Sequence, residues 1–167
     1  MSARGRVVRI SQNQTFKFLC VLVVHMLLVF AVKSSGWDAQ DLKGLDATNK
    51  CENCDLRNVE LYEALLEGAF VPGADFTGAI LVEANLTGSN FTGGCLKEAD
   101  LSGADLRNSD LRSVSFINAN LAGALFTGAD IRGANFRSAK GLDLSGVAPK
   151  MICDVTFPDG RKSKPCL

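Results

Sequence analysis

Between Ala74 and Gly103 the chain reads ADFTG AILVE ANLTG SNFTG GCLKE ADLSG, six blocks of five with a large apolar residue at the centre of each. Worked outward, the same phase runs without a slip from Leu56 to Phe136, through Leu61, Leu66, Val71, Phe76 and so on, seventeen positions in all. Two residues before each stands a small side chain, as at Ala64, Ala69, Ala74, Ser89, Gly94 and Ala99. A period of five fits neither a helix, whose apolar face returns every 3.6 residues, nor a strand, whose faces alternate every two. Each unit must therefore contain a bend, with one large and one small side chain turned inward and three residues left for the corner and the solvent. The corner chemistry agrees. Gly68, Gly73, Gly78, Gly88 and five later glycines fall two places after the large residue, where a type II turn needs positive φ, and Pro72-Gly73 supplies both turn positions. Asp or Asn just before the large residue, as at Asp75, Asn85, Asn90, Asp100, Asp105 and Asp110, can bond the nearby backbone. One unit buries too little to stand alone, so the units must wind into coils that share a core, an all-β solenoid.

The blocks Ala74–Gly78 (ADFTG), Ala84–Gly88 (ANLTG), Ala99–Gly103 (ADLSG) and Ala134–Ser138 (ANFRS) resemble the pentapeptide-repeat proteins. The resemblance covers just over half of the chain. It implies a right-handed, four-sided β-helix with five residues per side and twenty per turn, here of about four coils over residues 51–140. It also implies action through protein contacts rather than catalysis, and some cytosolic relatives imitate DNA in shape and charge and bind DNA gyrase.

Residues 1–35 hold Arg4, Arg6, Arg9, Lys17 and Lys33 and no acid, and Phe18 to Val32 is apolar apart from His25. That order of basic then apolar residues predicts an export signal or, if it is not removed, an N-terminal membrane anchor. The apolar run is short for a spanning helix, which needs about 20 residues, and no A-x-A cleavage site is present. Residues 36–50 predict a short amphipathic, helical cap with Trp37, Leu42 and Leu45 on one side, and residues 141–167 a second helical cap built on Val147, Met151, Ile152 and Val155 with a turn at Pro158-Asp159-Gly160. Open solenoid ends need such covers, because the last coil otherwise leaves apolar surface and unpaired strand edges. Cap, C-x-x-C entry and C-terminal tail together resemble exported family members of cyanobacteria and thylakoid lumens. The expected compartment is a periplasm, a cell surface or a thylakoid lumen.

Five cysteines lie beyond the leader, four of them in two local pairs. In an exported protein such pairs default to disulfides, and Cys153 with Cys166 brackets a loop containing proline and glycine. For Cys51 and Cys54 three readings stand: a terminal disulfide, reduced core residues, or a redox or metal site. Their phase turns both toward the core of the first coil, zinc would want about four ligands, and the βαβ pattern that accompanies a thioredoxin-like motif is absent. Cys95 falls in an outward register as a lone thiol.

Nothing else in the sequence assembles a catalytic set. The single histidine lies in the leader, which excludes a mature Ser-His-Asp or Cys-His arrangement. Asp100, Asp105 and Asp110 follow the repeat as turn residues, no glycine loop precedes G-K-S or G-K-T, and the sequons at Asn85 and Asn90 are what the repeat consensus generates. No catalytic residue, cofactor or metal is expected. Net charge is zero overall, with 18 basic and 18 acidic residues. Residues 51–140 carry twelve acids against seven bases, but Lys97, Arg107, Arg112, Arg132 and Arg137 break up any DNA-like acidity, so nucleic-acid mimicry and gyrase binding rank low. The informative departures are outward positions that are apolar. Leu65, Phe70, Ile80 and Val82 form the candidate partner surface, either free for an unknown protein or covered by the N-terminal cap, and Ile117 and Leu125 follow later. Association through the flat ends, by stacking of rods, is the other expected contact.

Overall fold

The computed structural model describes residues 37–166. From Lys50 onward the chain is joined to itself every twenty residues by parallel bridges, which fall into four columns. Side 1 presents Asp55, Asp75, Cys95, Ser115 and Asn135; side 2 presents Glu60, Ile80, Asp100, Asn120 and Lys140. Side 3 presents Leu65, Asn85, Asp105 and Leu125; side 4 presents Lys50, Phe70, Asn90, Asp110 and Asp130. Four columns at a spacing of twenty make a four-sided coil with five residues per side.

In a unit with Asp or Asn before the large residue, every N–H group can find a destination, the accounting that a buried backbone requires. In the unit centred on Phe76, Asp75 N–H donates to Cys54 O in the coil before (2.8 Å), while Phe76 N–H and Gly78 N–H donate to Cys95 O (2.7 Å) and Lys97 O (2.8 Å) in the coil after. Ala79 N–H closes the corner on Phe76 O (2.9 Å). The remaining N–H, on Thr77, is taken by the side chain of Asp75 at 2.9 Å. The same capture recurs at Asn85, Asn90, Asp100, Asp105 and Asn135. Aspartate and asparagine are thus the acceptors that the corner lacks. Phe70 occupies that register where none is needed, since the residue two places on is Pro72 and has no N–H.

Each corner from Asn53 to Ser138 has its residue two places after the large one at φ between 52° and 75°. Nine of these are glycine, and the other nine are Asn, Glu or Ser that bear the left-handed conformation at a cost of roughly 1–2 kcal/mol per residue. Inside, the large column from Leu56 to Phe136 is at most 1% exposed throughout, and the small column is buried too, at most 6% exposed. Phe116 and Phe136 stack with ring centroids 4.8 Å apart. Ser89 and Ser109, the polar members of the small column, turn their hydroxyls back onto Leu86 O and Leu106 O, both at 2.6 Å.

Helix α1, Ala39–Thr48, closes the first coil. Asp38 caps it by accepting from Gln40 N–H (2.7 Å), and Asn49 ends it in a left-handed conformation. Leu42 and Leu45 are buried in the same core as the coils, with Trp37 packed partly against it. At the other end the ladder outlasts the repeat. Phe136 N–H reaches Thr156 O (2.8 Å) and Ser138 N–H reaches Pro158 O (2.9 Å), so Asn135 pairs with Thr156 at a spacing of 21 rather than twenty. Side 1 therefore carries six rungs, more than about four coils would supply, because residues 141–158 keep stacking after they have left the period. Val147 and Val155 fill this last coil, whose only helical piece is a single 3-10 turn at Pro149–Met151. Thr156 then pairs antiparallel with Lys162. The resulting hairpin turns through Gly160 (φ 84°) and covers the open edge with Arg161, Lys162 and Lys164, charges that discourage further strand pairing.

Candidate interaction surfaces

The two cysteine pairs lie one at each end of the rod. Cys51 and Cys54 are at disulfide distance, with Cα atoms 5.6 Å apart, and both are buried beneath α1. Cys153 and Cys166 are likewise at disulfide distance (Cα–Cα 5.0 Å) and tie the outer strand of the hairpin back to the last coil, where Cys166 N–H also donates to Asp154 Oδ2 (3.1 Å). The Asp41 carboxylate and the sulfurs of Cys51 and Cys54 lie within 4.8 Å of one another, the one such trio among the described residues. It fits a metal poorly. Sulfurs at bonding distance have no thiolate to offer, Asp41 Oδ2 is engaged by Asp55 N–H at 2.8 Å, and zinc would still lack a fourth ligand. Cys95 is free and half-buried on side 1, with its sulfur 3.2 Å from Thr77 Oγ1.

The carboxylates that follow one another in sequence are separated by the coil. Asp100, Asp105 and Asp110 stand on sides 2, 3 and 4, and each serves its own corner. Asp100 accepts from Ser102 Oγ (2.6 Å) and from Asn120 Nδ2 one coil on (3.0 Å). Asp105, Asp110 and Asp130 each hold the arginine two places later, with Nε at 2.8 Å in every case. The guanidinium bond is the main reason that all three carboxyls sit below their ordinary pKa, partly offset by burial. Arg112 also reaches Asp130 of the next coil at 3.9 Å. Four of the seven bases between residues 51 and 140, Arg57 included, are spent in this way on their own neighbours.

The expected partner surface is not one surface. Leu65 and Phe70 lie on sides 3 and 4, while Ile80 lies on side 2 and Val82 at the corner after it. Nor does the cap cover them. Helix α1 packs over the end of the rod and leaves Leu65 and Phe70 each 42% exposed, whereas Ile80 and Val82 are half-buried. The third large exposed hydrophobe among the described residues is Leu125, 48% exposed and three coils along side 3 from Leu65. Their shared column follows from the twenty-residue turn, a signal that the run of apolar residues in the sequence does not display.

A solenoid of five-residue sides, closed by α1 at one end and a hairpin at the other, is the class of protein that this architecture defines. The family model for pentapeptide repeats matches residues 54–93, 72–108 and 104–140, just over half of the 167 residues, and the chain belongs to that family. The pentapeptide repeat protein Rfr23 from the cyanobacterium Cyanothece superposes with a TM-score of 0.60 at 21% identity, over 75% of this chain and 92% of that one, which shows the shared fold. A pentapeptide repeat protein from Nostoc (29% identity, 71% and 93% coverage, TM-score 0.43) and one from the Arabidopsis thaliana thylakoid lumen (29%, 68% and 83%, TM-score 0.35) are also similar but superpose too loosely to add to it. No curated protein matches the chain.

Proposed function

We propose that this is an exported, non-enzymatic rod that works by presenting its sides to other proteins, with no substrate turned over. The observation that carries the reading is the consumption of polar groups by the coil itself. Corner carboxylates are committed to backbone N–H groups and to their own arginines, which leaves side-chain columns of fixed spacing on a stiff frame. Such a frame suits recognition by shape better than proton transfer, which needs a group poised near its working pKa. Export is supported by two local cysteine pairs at disulfide distance in a chain whose first 35 residues are basic and then apolar. The leader, residues 1–35, lies outside the described residues. No helix among the described residues is long and apolar enough to cross a membrane. In this reading residues 36–50 and 141–167 act as caps to the repeat at 51–140, and a periplasm, cell surface or thylakoid lumen is the compartment.

A redox or metal factor built on Cys51 and Cys54 is the weaker reading, since burial under α1 keeps both sulfurs from a substrate. Gyrase binding by DNA mimicry is weaker still, because the arginines folded onto Asp105, Asp110 and Asp130 interrupt the acidic surface. Fractionation of cells expressing the full chain, with intact mass and thiol counts on the recovered protein, tests the proposal. Export predicts one reactive thiol, Cys95, among residues 37–166. Recovery from the cytosol with residues 1–35 intact and five reactive thiols beyond them would overturn it.

A further inference from the structure

Side 3 reads Leu65, Asn85, Asp105, Leu125 along the rod, one residue per coil. We propose that this side is a self-association surface on which two copies pack side by side and antiparallel about a two-fold axis. The order is apolar, amide, carboxylate, apolar. When the column is inverted and laid against itself, Leu65 meets Leu125 of the second copy and Asn85 meets Asp105 of the second copy, each contact occurring twice as a two-fold interface requires. Two of the three large exposed hydrophobes of the described residues are thereby covered together. The polar pair is matched in hydrogen-bonding capacity. Asn85 spends its Oδ1 on Thr87 N–H (3.1 Å), which leaves the amide Nδ2 to donate, while the Asp105 carboxylate it would face can only accept, and already does so from Arg107 and Thr87 of its own chain. The flanking corners fit the same arrangement. Tyr62 falls opposite Ala122 and Thr87 opposite Arg107 of the second copy, and no like charges face one another.

The other three sides fail the same inversion. On side 1, inverted over its five repeat rungs Asp55 to Asn135, the corner residue Arg57 would face Arg137 and Lys97 would face itself. On side 2, Asp100 would lie against Asp100 of the second copy. On side 4, Phe70 would bury Asp110. A parallel pair on side 3 fails too, because Asp105 would then meet Asp105. Like charges held opposite one another in an interface cost affinity and select against that pairing. One side of a rod only four coils tall there is smaller than the ~800 Å² per partner of a standard interface, so the association is weak and depends on concentration. This inference does not depend on export, since it concerns only the shape and chemistry of the coil.

Thiol crosslinking in the full chain tests it, in a Cys95→Ser background. A tagged Leu65→Cys chain is co-expressed with an untagged Leu125→Cys chain, and native extracts are treated with a short bis-maleimide. The expected result is a crosslinked heterodimer of positions 65 and 125. Little product is expected from Leu65→Cys alone, because position 65 of one copy and position 65 of the other stand about 14 Å apart in an antiparallel pair, three coil spacings. Phe70→Cys, equally exposed but on side 4, controls for collision. Crosslinking of Leu65→Cys to itself or of Phe70→Cys as readily as the 65–125 pair overturns the proposal, as does the absence of any 65–125 product. Adding Asp105→Lys should abolish the product by placing a cation where an acceptor is needed, and its persistence would also overturn the assignment.

Discussion

Asp41 of α1 accepts the backbone N–H of Asp55 at its carboxylate Oδ2 (2.8 Å), while Asp38 N–H donates to Asp55 O at 2.8 Å. These are the two bonds that a preceding coil would have made to this rung. A helix therefore ends the ladder by mimicking one turn of it. Asp41→Ala should lower stability by about 1–3 kcal/mol, the cost of leaving a sheltered donor unsatisfied, and Asp41→Asn, which keeps an acceptor oxygen, should lose less. Urea unfolding followed by circular dichroism measures both. Equal midpoints for wild type and Asp41→Ala would remove the carboxylate from the cap.

Glycine at the corners answers to two different constraints, and alanine scanning should separate them. Gly88 has φ 65° and open space where a Cβ would stand, so Gly88→Ala should cost about 1–2 kcal/mol for the left-handed backbone alone. Gly128 has φ 75°, and an added Cβ would collide with Asn108 Oδ1 of the coil before. Gly128→Ala should cost more than Gly88→Ala, and Asn108→Gly should recover part of the difference. Additive single and double changes in a mutant cycle would show that the two residues do not touch.

Acid should weaken the rod through the aspartates of sides 3 and 4. The carboxyls of Asp105, Asp110 and Asp130 are held below their unfolded value, chiefly by hydrogen bonds from Arg107, Arg112 and Arg132. A depressed folded pKa means that the unfolded state binds protons first as pH falls. The stabilisation is complete above the unfolded pKa of about 3.9 and is lost as pH drops through the folded values. The melting temperature should be level from neutral pH to about 5 and fall below about 4. Arg107→Gln, Arg112→Gln and Arg132→Gln together should flatten that acid limb, and an unchanged limb would assign it to other carboxylates.

The hairpin at the C-terminus depends on its sulfur link. Cys153→Ser with Cys166→Ser should free the outer strand, at a cost of about 3 kcal/mol for a loop of this length on a chain-entropy account. Limited trypsin treatment should then cut first after Arg161 or Lys162. Equal protection of those bonds with and without the cysteines would mean that Thr156–Lys162 pairing holds the strand unaided.

What could be read along the chain was whatever repeats within one unit. The large and small columns, the corner glycines and the aspartates beside them recur because each five-residue unit solves the same local problem of bending, burying two side chains and satisfying its N–H groups. The inward facing of Cys51 and Cys54 follows from that phase, and the buried leucines of α1 follow from its helical spacing. A period of five does not by itself say how many sides a coil has, and so it cannot say which outward residues are neighbours.

Tertiary structure decided the rest. It separated Leu65, Phe70, Ile80 and Val82 onto different sides although they crowd together in sequence, and it brought Leu65 and Leu125 into one column although sixty residues part them. It also carried the ladder past Lys140 with a one-residue slip at Thr156, where hydrogen bonding to the coil beneath guides a chain whose own pattern has ended. Burial is dictated locally here, because each unit meets the core in the same way. Surface neighbourhood is set by the length of the turn, which is a property of the closed coil and of no single unit.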